Sequence, residues 1–357
     1  MDKTKVGETD ADFAVLVNGT YDGTGGEPNL KTAANGGHVQ NTASGGASGA
    51  LTVPADLVFS PNTNGSSPYD FEIEKYDATT GELIAWVQCG VDTAADTVCY
   101  VCYGDAGVTT SQESVAGAWD GDYKGVWHMG EASGTRYDST GNSYDLSDIN
   151  TVGTTTKIGT AADFIAANTE YLNIADKADL SGGDIDFTIE AWCYADNDLD
   201  HTEFVYKGDL SPGELDYRLY RNNANNLLCW AYKTGGNWYS EFGFTMSVAA
   251  WHHIVAWFQS SNDELGYTVN GTNTSSGVHG AASPNTAYGM YFGTGSTGYA
   301  NAGIDEVRFS RGIVRSTNHA QTAYNNQGSP STFYSMGAEV YISHHYPAVI
   351  FQDPGIV

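Results

Sequence analysis

The feature that most constrains this sequence is the spacing of its apolar residues, which nearly everywhere follows the period of two of a β-strand. Residues 71–76 alternate apolar and polar side chains, and the turn-forming residues 77–81 follow at once. A strand places successive side chains on opposite faces, so this alternation predicts strands that turn one face to a core. The helical period is almost absent, and we predict helix only around residues 318–326. The sequence therefore predicts an all-β protein.

The length of 357 residues predicts two domains, since one domain usually takes about 100–200 residues. We place the boundary near residue 118 and expect a small β-sandwich domain at residues 1–117, followed by a larger sandwich at residues 118–339. The strands of the small domain are predicted at residues 13–17, 71–76, 83–89 and 97–103, with the last two joined as a hairpin.

Strand starts in the larger domain are about 8–12 residues apart and are separated by Gly and Asn turns, which is the pattern of a β-sandwich. Asn270 and Gly271 predict a type I′ hairpin, because both central positions of that turn need a positive φ. The predicted strands lie at residues 126–129, 171–174, 187–194, 204–207, 217–221, 227–233, 251–259, 265–269, 287–294 and 303–310.

Residues 340–357 form a C-terminal extension that is apolar for a tail. An apolar strand without a partner invites pairing with another chain, so we expect a contact between subunits here. The alternatives are a last strand of the domain's own sheet and a frayed end.

The charge of the sequence excludes several classes of partner. It carries 43 Asp and Glu against 15 Lys and Arg, for a formal net charge of −28. Affinity for nucleic acid and for anionic lipid depends on clustered Lys and Arg, so neither is an expected partner. The sequence contains no run of about 18 apolar residues, which is the length that a membrane-spanning helix needs. Residues 1–10 lack the apolar segment of a secretory signal.

Six local patterns between about residues 120 and 339 resemble, in the same order, those of the concanavalin A-like lectin/glucanase superfamily in its laminin G-like branch. The resemblance implies an antiparallel jelly-roll sandwich. The patterns are Gly-Val-Trp-His-Met-Gly-Glu at 125–131, Asp-Ser-Thr-Gly-Asn at 138–142, Phe-Thr-Ile-Glu-Ala-Trp at 187–192, Trp-His-His-Ile-Val at 251–255, Tyr-Thr-Val-Asn-Gly at 267–271 and Ile-Asp-Glu-Val-Arg-Phe at 304–309.

The first domain resembles domain-of-unknown-function family 2341, which often precedes such a sandwich in bacterial and phage surface proteins. The residues that carry this resemblance are 3–6, 12–17, 69–76 and 97–104. The Gly-, Ala- and Ser-rich stretch 33–50 departs from the expected pattern.

The superfamily resemblance also implies a calcium ion near the turn at residues 138–142, because related sandwiches often hold one there. Ca²⁺ prefers hard oxygen ligands, which Asp138 and Asn142 would supply, with Glu131 and Asp305 completing the site. The alternative is that Asp138 and Asn142 only form an Asx-turn.

Four aromatic residues around the turn at 234–237 are the candidate carbohydrate-binding residues. Sugars present apolar C–H faces ringed by hydroxyls, which suit aromatic rings with polar groups beside them. Alternation puts Trp230 and Tyr232 on one strand face, whereas Trp238 and Tyr239 lie on opposite faces. Some of the four must belong to the core, and we expect Trp238 and Tyr239 to be exposed near the turn.

A glycoside hydrolase of the glucanase type is the enzymatic alternative, since it needs two carboxylates that flank the sugar. Asp184, Asp186 and Glu190 alternate and would share a strand face. The first carboxylate is Asp where glucanases of this fold have Glu, and the spacing to Glu190 is longer. We therefore expect a solvated strand face with no catalytic residue. The laminin G-like resemblance implies that Ile185, Phe187 and Ile189 face the core.

Together these observations predict a non-enzymatic surface protein for structure or adhesion, whose sandwich binds glycans of a host or cell surface. The missing signal favours a phage virion component, such as a decoration, tail or fibre protein. A secreted bacterial carbohydrate-binding adhesin is the alternative. The expected location is the virion surface or the extracellular space. The expected partners are glycans, other surface proteins and further copies of the chain, and the one expected cofactor is calcium.

Overall fold

The computed structural model describes residues 1–154, 157–198, 201–209, 213–222, 224, 226–341 and 348–352, and it is nearly all β. The strands are, in chain order, β1 (Ala14–Thr20), β2 (Thr42–Gly45), β3 (Leu51–Pro54), β4 (Val58–Ser60), β5 (Phe71–Asp77), β6 (Glu82–Gln88), β7 (Tyr100–Cys102), β8 (Tyr123–Trp127), β9 (Ser147–Ile149), β10 (Val152–Thr154), β11 (Ala161–Phe164), β12 (Tyr171–Ile174), β13 (Phe187–Ala195), β14 (Thr202–Gly208), β15 (Leu215–Asn222), β16 (Leu227–Thr234), β17 (Asn237–Thr245), β18 (Trp251–Gln259), β19 (Glu264–Val269), β20 (Asn273–Val278), β21 (Met290–Phe292), β22 (Thr294–Gly295), β23 (Gly298–Tyr299), β24 (Ala302–Arg311), β25 (Ser335–Val340) and β26 (Ala348–Gln352).

The helices come late in the chain, where the sequence predicted one around residues 318–326. They are α1 (Thr317–Gly328) and α2 (Pro330–Phe333). Short 3-10 turns occur at Lys3–Lys5, Thr24–Gly26, Ala33–Asn35, Ala116–Ala118, Ala166–Asn168 and Ala178–Leu180. No described helix is long and apolar enough to cross a membrane.

The chain divides into two compact units. Residues 1–120 and 321–357 form the first unit, and residues 121–320 form the second. The change from one unit to the other after residue 120 lies close to the predicted boundary at 118. The return at residue 321 was not predicted, because the second sandwich was expected to run to residue 339.

The first unit contains a three-stranded antiparallel sheet in the order β1-β6-β5 and a four-stranded sheet in the order β25-β26-β7-β4. Side chains from both sheets share one core, in which Phe59 of the larger sheet contacts Phe71 of the smaller sheet at 5.1 Å between ring centroids. This is the small β-sandwich that the sequence predicted. A separate two-stranded sheet joins β2 to β3.

The predicted hairpin of residues 83–89 and 97–103 is wrong. β6 pairs with β1 and β5, whereas β7 pairs with β4 and β26, so the two segments belong to different sheets. Both segments were predicted as strands, but β6 pairs with the preceding strand β5 and with β1, whereas β7 pairs with β4 and β26, which a local pattern cannot specify.

The C-terminal strand lies inside a sheet of its own chain. Strand β26 pairs with β25 on one side and with β7 on the other. Since both edges of β26 have partners in the same chain, the expectation that this segment offers an unpaired strand to another subunit is wrong for residues 348–352. The rest of the predicted extension, at residues 342–347 and 353–357, lies outside the described residues.

The second unit is a jelly-roll sandwich of two antiparallel sheets. One has the order β10-β11-β24-β13-β18-β19-β20, with β8 also paired to β24, and we call it the eight-stranded sheet. The other, the seven-stranded sheet, has the order β17-β16-β15-β14-β21-β12-β9. Phe187 of β13 contacts Tyr217 and Trp230 of the opposite sheet at 5.4 and 6.0 Å between ring centroids, so the core lies between the sheets.

The hairpin between β19 and β20 shows how local sequence sets the backbone. Asn270 and Gly271 adopt φ values of 51° and 70°, as the Asn-Gly pair predicted. Val269 pairs with Asn273, so three residues connect the strands where a type I′ turn would have two. A residue with a Cβ at position 271 would strain this turn.

Candidate functional site

The outer face of the seven-stranded sheet carries a group of aromatic and charged side chains. In β15, Tyr217 and Leu219 belong to the core, so Arg218 and Tyr220 lie on the opposite, outer face. Residues paired across strands share a face. Arg218 pairs with Ala231 of β16, whose side chain is small and buried.

The edge strand β17 adds large apolar side chains to the same face. Trp238 pairs with Lys233, and Phe242 pairs with Cys229. The residues next to Lys233 and Cys229 in β16 face the core, so Lys233, Cys229 and their two partners in β17 lie on the outer face. Trp238 is 51% exposed and Phe242 is 56% exposed. We call Glu203, Arg218, Tyr220, Trp238 and Phe242 the aromatic face.

A buried ion pair lies at the centre of the aromatic face. The Arg218 guanidinium donates from Nε to Glu203 Oε2 at 3.3 Å and from Nη2 to Glu203 Oε1. The same guanidinium carbon lies 3.7 Å from the Tyr220 ring centroid and 5.5 Å from that of Trp238. The Arg218 guanidinium therefore lies over the rings of Tyr220 and Trp238 and is held there by one carboxylate.

The hairpin of β22 and β23 borders this ion pair. Thr297 at its tip donates from Oγ1 to Glu203 Oε1 at 2.9 Å. Gly295 approaches the sheet so closely that an added Cβ would come within 2.8 Å of the Tyr206 ring and 3.0 Å of Glu203 Cδ. The hairpin thus covers Glu203, which is fully buried, while Trp238 on the far side stays open to solvent.

Burial dominates the electrostatics of the aromatic face. It raises the pKa of Glu203 above its usual value, although Arg218 and the Thr297 hydroxyl favour the ionised form. Burial, and then the nearby charge of Arg218, lower the pKa of His201, whose ring stacks on Tyr220 at 5.9 Å between centroids. Both effects disfavour the protonated form of His201.

The structure separates the four aromatic residues that were predicted as glycan-binding residues. Trp230 and Tyr232 are fully buried in the core, so their prediction as sugar platforms is wrong. Tyr239 is half-buried and stacks on Tyr232 at 5.0 Å, on the core side of the sheet. Of the four, only Trp238 lies on the aromatic face, because β17 continues the alternation set by β16.

Sequence reasoning missed Glu203, Arg218, Tyr220 and Phe242. The alternation of residues 217–220 contains a usable signal, since Tyr217 and Leu219 are core residues and the two between and after them are not. Glu203 could not be found in this way. Its approach to Arg218 depends on the pairing of β14 with β15, which contains a register shift after Glu203.

A second aromatic group lies on strands nearer the other edge of the seven-stranded sheet. The Tyr171 ring contacts Tyr291 at 6.3 Å and Tyr299 at 6.1 Å between centroids. Tyr299 belongs to β23 and is 39% exposed. Among the described residues, this group lacks a charged side chain comparable to Arg218 in contact with its rings.

The predicted calcium ligand Asp138 is occupied by hydrogen bonds of its own chain. Its Oδ1 accepts from the Val126 and Thr140 amides, and its Oδ2 accepts from Thr140 Oγ1 and the Tyr144 amide, all at 2.8–3.0 Å. The Asn142 amide side chain donates to the carbonyl of Lys124. This is the Asx-turn alternative. Burial raises the pKa of Asp138, which these hydrogen bonds oppose.

The remaining predicted ligands point elsewhere. Glu131 accepts from the Tyr137 amide, and Asp305 is fully buried and accepts from the Ile158 amide. Within the described parts of the chain, the carboxylate oxygens of Glu131, Asp138 and Asp305 do not all come within 4.8 Å of one another. Calcium binding by this protein stays a prediction, but these carboxylates do not converge on one ion.

The outer face of the eight-stranded sheet also carries a group of charged side chains, but these side chains are buried. Glu190 of β13 accepts from Arg308 Nη1 at 2.8 Å and lies 3.0 Å from His253 Nε2. Arg308 also donates to Glu306, and Glu306 lies 2.9 Å from His128 Nδ1. We call these five residues, each at most 6% exposed, the buried ion cluster.

This cluster corrects the expectation of a solvated face around Glu190. Burial alone would raise the pKa of Glu190, but Arg308 and the hydrogen bond from His253 hold it well below its usual value. Asp186, at the start of the same segment, accepts from the Ser260 amide and hydroxyl at 2.8 Å. Ile185, which was expected to be a core residue, is 41% exposed because β13 begins only at Phe187.

Comparison with known families finds a match for most of the second unit. Residues 166–318 match the laminin G family model described as the concanavalin A-like lectin/glucanases superfamily. The second unit is therefore similar to that superfamily, as its sequence patterns predicted. No curated protein matches the sequence.

Solved structures with a similar fold include binding domains and one domain of an enzyme. The binding domain of Paraclostridial Mosquitocidal Protein 1 is 11% identical, with 57% of this chain and 52% of that chain covered and a TM-score of 0.49. The receptor binding domain of botulinum neurotoxin C/D mosaic serotype is 10% identical, with 58% and 51% covered and a TM-score of 0.47. This chain therefore spans about half the length of these two domains. Domain 4 of AbnA, a GH43 extracellular arabinanase from Geobacillus stearothermophilus in complex with arabinotriose, is 16% identical, with 56% and 97% covered and a TM-score of 0.47.

Proposed function

We propose that this protein is a non-enzymatic carbohydrate-binding protein and that the aromatic face is its binding site. The observation that carries the proposal is the half-exposed Trp238 beside a guanidinium that Glu203 and two rings hold in place. A sugar ring stacks its C–H face on an aromatic platform and satisfies its hydroxyls with a few well-placed polar groups. The aromatic face offers both.

The state of the carboxylates supports binding without hydrolysis. A glycosidase needs one carboxyl group as acid and a second as nucleophile or base, both reaching the sugar. Glu203 is buried under Thr297 and paired with Arg218. Glu190 is buried and paired with Arg308. Both carboxylates are engaged in holding cations within the fold.

We infer further that the protein works on an exterior surface, either as a phage virion component or as a secreted bacterial adhesin. The excess of acidic residues, 43 against 15 basic ones, suits a soluble outer surface that resists nonspecific association. The resemblance of the first unit to domain-of-unknown-function family 2341, which often precedes such a sandwich in bacterial and phage surface proteins, is part of the basis for this proposal. Immunogold electron microscopy of native particles and of cell surfaces tests the location, and labelling of neither contradicts it.

A glycan array with the wild type, Trp238→Ala and Tyr341→Ala tests the binding function. Tyr341 is the matched control, because it is 73% exposed but belongs to the first unit. We expect Trp238→Ala to weaken binding by about 30-fold, the effect of losing about 2 kcal/mol at a central aromatic contact. Tyr341→Ala should bind like the wild type. Absence of binding to every glycan, or unchanged binding by Trp238→Ala, contradicts the proposal.

A further inference from the structure

One nitrogen of the Arg218 guanidinium, Nη1, donates no hydrogen bond to the described residues. Nε and Nη2 both donate to Glu203. Within the described residues, Nη1 makes no hydrogen bond, although a guanidinium has five N–H donors in a fixed plane. The side chain retains 7% exposure. Two N–H groups of Nη1 are therefore the fixed donors that the aromatic face can offer to a ligand.

The rings around Arg218 define where such a ligand lies. The guanidinium carbon is 3.7 Å from the Tyr220 centroid and 5.5 Å from the Trp238 centroid. A group that reaches Nη1 must therefore come down beside the exposed Trp238 ring. A sugar stacked on Trp238 would bring a pair of neighbouring hydroxyl oxygens to these donors.

The charge around Arg218 selects between kinds of sugar. The positive charge is already compensated by the buried carboxylate of Glu203. An acidic sugar at Nη1 would place a second carboxylate beside Glu203, which like-charge repulsion disfavours. Lys233 lies 5.6 Å from the Trp238 centroid and is partly exposed, so solvent screening weakens its attraction for an acidic sugar.

We propose that the aromatic face selects uncharged sugars, with Arg218 as the specificity-determining residue and Glu203 as the residue that positions it and cancels its charge. This inference rests on the proposed carbohydrate-binding function. It adds the ligand class, which the fold alone does not give. Glu203 acts only through Arg218, because it is fully buried beneath Thr297.

The first test needs only the wild-type protein. Isothermal titration calorimetry compares matched pairs of linear oligosaccharides that have the same linkage and length, with neutral hexose units in one and the corresponding uronic acid units in the other. Glucan with glucuronan, mannan with mannuronan and galactan with galacturonan make three such pairs. We expect the neutral member of the pair that binds to be preferred by about tenfold, or ~1.4 kcal/mol. Equal or stronger binding of the uronate overturns the inference but leaves the carbohydrate-binding function standing. Absence of binding to all six probes, with none on the array, instead contradicts the proposed function.

The second test changes the specificity through Glu203→Gln. This variant leaves the Arg218 charge uncompensated, so the ratio of uronate to neutral affinity should rise by about tenfold at low salt and fall back at high ionic strength. A merely structural role for Glu203 would weaken both probes equally. Glu27→Gln is the matched control, since it removes the same charge from an exposed residue of the first unit, and its ratio should change by less than about threefold. An unchanged ratio in a folded Glu203→Gln protein overturns the inference. If that variant does not fold, the wild-type comparison decides.

Discussion

The two outer faces of the second unit both carry charged and aromatic side chains, but they differ in what those side chains leave free. In the buried ion cluster, Arg308 donates to both Glu190 and Glu306 and all three are buried. On the aromatic face, Arg218 forms an ion pair with a single carboxylate, that of Glu203, and lies beside the half-exposed Trp238. The difference shows that a buried ion pair on a strand indicates a structural role when the residues around it are buried as well, and a binding site when the pair lies beside an exposed ring.

The largest expected effect is on the free energy of unfolding, when a Trp on each outer face is replaced by Ala. Trp192 lies on the outer face of the eight-stranded sheet, is 2% exposed and contacts the His253 ring at 5.0 Å between centroids. Trp192→Ala should lower the free energy of unfolding by ~3–5 kcal/mol, because it leaves a cavity. Trp238→Ala should lower it by less than about 1 kcal/mol, since the ring is half-exposed. Urea denaturation measures both, and similar losses would mean that the two faces do not differ in this respect.

The pH dependence of stability should have opposite signs for Glu190 and Glu203. The pKa of Glu190 is lowered, so its contribution is present above the unfolded pKa of about 4.3 and is lost as pH falls through the folded pKa. The pKa of Glu203 is raised, so the folded state takes up a proton more readily and gains stability as pH falls toward and through that folded pKa.

Glu190→Gln and Glu203→Gln measure these contributions by denaturation at a series of pH values. The stability advantage of the wild type over Glu190→Gln should shrink from neutral to acidic pH. Its advantage over Glu203→Gln should grow over the upper part of the same range. Slopes of the same sign for both variants would contradict the opposite pKa shifts of Glu190 and Glu203.

The smallest effect is expected at Thr297, whose hydroxyl donates to Glu203 at 2.9 Å. Thr297→Val keeps the side-chain shape and removes one hydrogen bond, so the free energy of unfolding should fall by ~0.5–1.5 kcal/mol. Glycan affinity should fall by no more than a few-fold, because Arg218 still holds Glu203. A loss of affinity as large as that of Trp238→Ala would mean that the hairpin of β22 and β23, and not Trp238, forms the main contact. Parallel calorimetry of the two variants measures this.

Local pattern was sufficient for much of the fold. The segment at β18 was predicted with its observed ends, and so was β12. Asn270 and Gly271 fixed their own backbone conformation. The pairing of strands was less accessible to sequence reasoning, since β6 and β7 were both predicted as strands and yet belong to different sheets.

The candidate site was only partly within reach of the sequence. Trp238 could be chosen because a turn residue on an edge strand tends to be exposed, whereas Trp230 has the same chemistry and lies in the core. The pair of Arg218 with Glu203 depends on a register shift between β14 and β15, which no local pattern encodes. Burial of Glu190 likewise depends on Arg308, a residue 118 positions away.

The most direct test of the account follows the indole N–H signals of the eight Trp residues by NMR while the best-binding neutral oligosaccharide is added. Single Trp→Phe variants assign the signals. The account predicts that the Trp238 signal shifts with the binding curve, whereas the signals of Trp192 and Trp230 stay in place. A binding curve that moves Trp192 and leaves Trp238 unchanged would place the ligand on the other sheet and contradict the account.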